Sequence, residues 1–99
     1  MSVDGTWKIV VDSPAGRQEG VLALTTQGAD LTGTCAYDDT VVDLFDGRVD
    51  GDAVRFKVRI RKPLPMKLTY TLIVSGDAME GEVKPGVFSK QRVTGVRAA

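Results

Sequence analysis

The chain has 99 residues, 13 basic and 13 acidic side chains, one cysteine and no histidine. That length makes one domain, 1–99, large enough to fold on an ordinary hydrophobic core. Zero net charge removes bulk attraction to nucleic acid or anionic membrane, a lone Cys35 removes an intrachain disulfide, and the missing histidine removes Ser-His-Asp chemistry and the commonest zinc ligands.

A secreted domain this small usually carries disulfides, so composition points to the cytoplasm. The opening Met-Ser-Val-Asp-Gly has no basic and apolar leader pattern. No apolar run approaches the roughly 20 residues of a membrane helix. No cofactor or metal is expected, and no catalytic motif stands out.

Alternation with period 2 runs from end to end, with no 3.6 period of helical length. It predicts eight strands: Thr6–Asp12, Gln18–Gln27, Asp30–Tyr37, Val41–Asp50, Ala53–Arg61, Lys67–Ser75, Ala78–Lys84 and Ser89–Arg97. The connections Gln27-Gly28-Ala29-Asp30, Asp50-Gly51-Asp52-Ala53 and Ser75-Gly76-Asp77-Ala78 place Gly at the first central position, as a type II′ hairpin turn requires. Those glycines recur 23 and 25 residues apart, one hairpin for every two strands. The connections at 12–17, 37–40, 61–66 and 84–88 read as longer loops. The result is an all-β fold, a small eight-stranded antiparallel up-and-down meander barrel. Tight turns close its base and longer loops surround its mouth. Eight strands are enough to close a sheet and abolish both edges.

Turn-set register assigns the faces. Trp7, Ile9 and Val11 face inward, with Leu22, Leu24 and Leu31. Leu44, Val49, Val54, Phe56, Val58 and Ile60 follow, then Leu68, Tyr70, Leu72, Val74, Met79, Val83 and Val93. Leu44 and Val49 share a face only if one extra residue intervenes, which predicts a β-bulge near Asp46-Gly47. The last strand returns to pair with the first, placing Arg97 beside Trp7 for a cation–π contact.

Gly5-x-Trp7 on the first strand and an Arg97 on the last resemble the lipocalins and related calycins. There a Trp packs under an Arg at the closed end of an eight-stranded barrel. The chain is much shorter than a usual lipocalin. It lacks the family's mid-barrel Thr-Asp motif, helix and disulfide, and looks more like the small lipocalin-like domains of bacterial proteins. The resemblance gives Gly5, Trp7 and Arg97 a structural role and implies an apolar pocket.

An eight-stranded barrel has room to be packed solid or to hold one small ligand. Gln18, Tyr37, Tyr70 and Gln91 share inward parity with the apolar wall. Leu22, Phe56, Val58, Leu68 and Met66 would line a site, under mouth residues Leu64 and Phe88. The tyrosines also read as ordinary core residues with hydroxyls reaching solvent. Tyr37, Tyr70 and Asp43 are the candidate acids and bases. Asp38-Asp39 reads as a turn pair. Cys35 reads as an inert buried thiol. Leu64, Met66, Val87 and Phe88 fit a lid and a homodimer contact equally.

Arg55, Lys57, Arg59 and Arg61 alternate outward. They read as a solvated charge network reaching Glu80, Glu82 and Asp46, with no aromatic residues interleaved for nucleic-acid stacking. Three functions are expected from these features. The first is a binder of a small hydrophobic molecule. The second is an isomerase, lyase or hydrolase of such a molecule. The third is a filled barrel acting as an oligomerisation or adaptor domain.

Overall fold

The computed structural model describes residues 3–14, 16–61, 65–86 and 88–98. Its strands are β1 (Gly5–Ser13), β2 (Gly16–Gln27), β3 (Asp30–Tyr37), β4 (Thr40–Asp43), β5 (Phe45–Asp50), β6 (Ala53–Ile60), β7 (Met66–Ser75), β8 (Ala78–Pro85) and β9 (Gln91–Arg97). They form one antiparallel sheet in the order β2-β1-β9-β8-β7-β6-β5-β3-β4, which β2–β3 pairing closes into a barrel. β4 and β5 both pair with β3 and together occupy one of the eight wall positions. Among the described residues no helix is long and apolar enough to cross a membrane.

The fourth predicted strand is therefore two. Its continuity breaks at Leu44, whose N–H still donates to Gly33 O at 3.0 Å. Just beyond, Phe45 faces Lys57 and Arg48 faces Arg55, so Asp46 and Gly47 together oppose a single residue. This bulge puts Asp46 at φ 52 and lets Leu44 and Val49 both reach the core. A Cβ on Gly47 would lie 2.1 Å from Leu31 O, so only glycine fits where β5 crosses β3.

The three glycine hairpins have φ between 61 and 63 at Gly28, Gly51 and Gly76. Their registers pair Val49 with Val54, Val74 with Met79 and Leu24 with Gly33. At the opposite end the expectation of four longer loops needs correction. Ser13 pairs with Gly16 and Tyr37 with Thr40, so both connections are two-residue turns. Pro14 brings a preset φ, and Asp38 accepts φ 51, which aspartate tolerates better than most residues. Only 61–65 and 86–90 are longer.

Every apolar residue assigned inward from the sequence is buried or half-buried, whereas Gln18, given inward parity with them, is exposed because β2 there runs past the end of the core. Trp7, Leu22, Val54, Phe56, Val58, Leu72 and Val93 are wholly removed from solvent. Burying a large apolar side chain stabilises by about 1.5–3 kcal/mol, which is what holds the wall shut around its core. Val3 joins this core unforeseen, ahead of the first predicted strand. Its carbonyl accepts the indole N–H of Trp7 at 2.9 Å. The N-terminal segment thus crosses the base as a cap, and Asp4 Oδ1 accepts from the backbone N–H of Thr26.

Candidate functional site

The interior changes character along the barrel axis. At the base, β1 and β9 pair so that Arg97 faces Trp7 across the ladder. The guanidinium lies 4.3 Å from the indole centroid. Its Nη1 donates to Asp4 O at 2.7 Å and its Nε to Asp77 Oδ1 at 3.0 Å. Gly5 pairs with Leu24 at the same level. The packing just above this level is close. A Cβ on Gly95 would already meet Met79 Cγ and Ile9 Cγ2 at 2.8 and 2.9 Å.

At the mouth, side chains of the same inward parity are only half-buried. Val11, Tyr37, Val42, Ile60 and Leu68 pack on the core yet keep solvent contact. They come from β1, β3, β4, β6 and β7 and border the mouth, the part of the interior termed the cup. Cross-strand pairing ties this rim to the floor: Val42 faces Cys35, Leu68 faces Val58, and Val11 faces Val93.

Tyr70 stands in the floor. It is 4% exposed, and its ring stacks on Phe56 with centroids 4.8 Å apart and planes at 15°. Such a pair adds about 0.5–1.5 kcal/mol beyond area burial. Among the described residues the Tyr70 hydroxyl has no hydrogen-bond partner. Yet among the described residues every fully buried polar side-chain atom has a partner. Its oxygen is thus the accessible tip of an otherwise buried side chain. Burial, and secondarily the nearness of Cys35 and Tyr37, pushes the Tyr70 hydroxyl well above the ordinary tyrosine range. Tyr37 is raised for the same first cause, then by Cys35 and Asp38. Burial alone pushes the Cys35 thiol up to about 11. The polar groups of the cup are therefore neutral near pH 7: two phenols that donate a hydrogen bond and a thiol that holds its proton.

The remaining candidates scatter. Met66 is half-buried opposite Ile60, and Gln91 half-buried opposite Val83, both at the cup's edge. Leu22 lies deep, opposite Trp7, too far down to line the cup. Gln18 is exposed at the start of β2. Phe88 is 52% exposed, its N–H bonded to Pro85 O. Leu64 and Val87 lie outside the described residues.

Asp43 is displaced from the expected site. The bulge falls after it, so β4 keeps its parity and pairs Asp43 with Thr34 on the outer wall. It is exposed and does not share the cup with the tyrosines.

The expected outer charge network is also rewired. Lys57 does approach Asp46, at 3.7 Å. Glu80 and Glu82, however, are taken by Arg92 at 2.9 Å and Lys90 at 3.1 Å, both nearer than the arginines of β6. Arg59 instead lies over the Phe45 ring, 5.1 Å from its centroid.

A row of outward residues, apolar except for Lys8, escaped notice in the linear pattern. Val96, Lys8, Val21, Ala36 and Val41 face one another in turn across β9, β1, β2, β3 and β4. The valines of that row are 56%, 38% and 65% exposed. The signal was available, because each valine is an apolar residue at outward parity, but only the register aligns them. Comparison of the chain with models of known protein families finds no match, and neither does comparison with curated proteins.

Proposed function

We propose that this chain is a lipocalin-like binder of a small apolar molecule, working in the cytoplasm of a bacterium, which it holds at the mouth rather than deep in the barrel. One observation carries the reading: a ring of half-buried apolar side chains surrounds Tyr70, a buried residue whose hydroxyl has no protein partner. Apolar walls with a few convergent polar groups are the usual make-up of a small-molecule site. The ligand carries one oxygen to accept from Tyr70 or Tyr37, and an aliphatic or aromatic body to cover Ile60, Leu68 and Val11. Its bulk stays near the rim, because Met79 and Ile9 crowd the interior at Gly95 beneath it.

An enzyme on this scaffold is the weaker proposal. The cup offers acids without a base, since Asp43 sits outside and Cys35 keeps its proton. A filled barrel acting through its surface is the second reading, favoured by the exposed valine row and by Phe88.

Native mass spectrometry on protein taken from its host tests this, with Leu68→Trp as the companion variant. A small molecule that co-purifies with the natural chain and is absent from the folded variant supports the mouth site. A bare mass, together with no binding of an apolar fluorescent probe, sinks it in favour of the filled barrel. The same spectrum reports monomer or dimer.

A further inference from the structure

The outer wall holds a trough of about 900 Å³ across β3, β5, β6, β7 and β8. Its floor is made of short residues, Gly47, Thr69 and Thr71, and long charged side chains rise around them. The chain as a whole is neutral, yet five cations here meet three carboxylates.

Those carboxylates already have partners. Asp30 lies 3.8 Å from Arg48, Asp46 pairs with Lys57, and Glu82 pairs with Lys90. Among the described residues, Arg55 and Lys84 are left without a carboxylate. The ladder sharpens the imbalance. Arg48 stands directly opposite Arg55, a like-charge facing pair that costs stability. Lys57 and Lys84 flank Thr69 from its two neighbouring strands. The hydroxyls of Thr69 and Thr71 have no hydrogen-bond partner among the described residues. A local conflict of charge with no internal compensation is where a binding function is to be looked for.

We propose that this trough binds a small multivalent phosphate, a diphosphate or a molecule carrying one. Arg55 presents a planar fork that matches two phosphate oxygens. Lys57 and Lys84 act as point charges on either side, and Thr69 donates its hydroxyl from the floor. The fit is to a compact anion rather than to nucleic acid. No aromatic ring lines the trough for base stacking, and the nearby Phe45 ring is covered by Arg59.

The test is a ¹⁵N–¹H NMR titration with pyrophosphate at fixed ionic strength, with orthophosphate as comparison. Saturable shifts confined to Arg55, Thr69, Thr71 and Lys84, and tighter binding of pyrophosphate than of orthophosphate, are expected. Arg55→Gln and Lys84→Gln should each weaken binding about tenfold, the scale of one lost charge-assisted contact. Lys8→Gln, on the opposite wall, should leave it unchanged. Shifts that do not saturate, or an equal loss in Lys8→Gln, would reduce the effect to general charge screening and overturn the proposal. Tighter binding of a single-stranded oligonucleotide than of pyrophosphate would overturn it too. The titration of the natural chain decides on its own if a variant fails to fold.

Discussion

The base and the mouth are built from the same alternating strands, and they differ in what meets at the axis. At the base both termini converge. Val3 takes the indole N–H of Trp7, Arg97 covers the ring, and Ala98 N–H donates to Thr6 O at 2.8 Å. At the mouth two of the connections are minimal turns, and the inward side chains pack on the core yet keep solvent contact. The lesson is that parity puts a side chain inside, but only a cross-barrel partner buries it. Half-burial at Tyr37, Ile60 and Leu68 follows from missing partners, not from polar chemistry.

That contrast can be broken first at its strong end. Trp7→Ala should cost about 3–5 kcal/mol, the range for truncating a buried aromatic residue. The urea midpoint measures it, and a loss below about 1 kcal/mol would remove Trp7 as the anchor of the base. Arg97→Ala should cost less, about 1–3 kcal/mol, from the lost stacking and the bonds to Asp4 and Asp77. A red shift of Trp7 fluorescence in the folded variant would report the uncovered ring. An unchanged midpoint and spectrum would show that the contact is ornamental.

Mouth substitutions should weigh less on stability. Leu68→Ala removes a half-buried side chain and should cost about 1 kcal/mol, below the usual range for a core leucine. A cost near that of Trp7→Ala would mean that the mouth is as tightly built as the base.

High pH probes the cup floor. The folded Cys35 thiol ionises near 11, against an ordinary value of 9.0. The unfolded chain therefore releases this proton first, so stability is fully present below about pH 9 and falls as pH rises toward 11. Urea midpoints at pH 8 and 10.5 should show the fall, and Cys35→Ala should reduce it, the remainder coming from the raised Tyr70 and Tyr37 hydroxyls. A flat profile in the natural chain would mean that Cys35 is not held in an apolar floor.

The smallest effect separates stability from binding. Tyr70→Phe deletes a hydroxyl with no protein partner, so the midpoint should move by less than about 0.5 kcal/mol. Affinity for the co-purifying molecule should drop about fivefold to tenfold, the worth of one hydrogen bond. Loss of stability without loss of affinity would place that hydroxyl in the protein's own network instead.

Much of this was legible in the linear pattern. The glycine turns set registers that hold from Leu24–Gly33 to Val74–Met79, and the misfit between Leu44 and Val49 located the bulge. What escaped has a common cause. Asp43 changes side according to whether the bulge falls before or after it. Glu80 and Glu82 choose Arg92 and Lys90 over Arg55 because of which side chains reach them first. Val96, Val21 and Val41 belong together only once five strands are laid side by side.

The residues in order thus determined the strands, the faces and the pairing of neighbours, because alternation and turn chemistry act over a few residues. Tertiary structure decided how deep the interior is open, that Val3 caps the base, and which charges on the wall are left over. Those outcomes depend on distances between side chains far apart in the chain, and no local pattern encodes such distances.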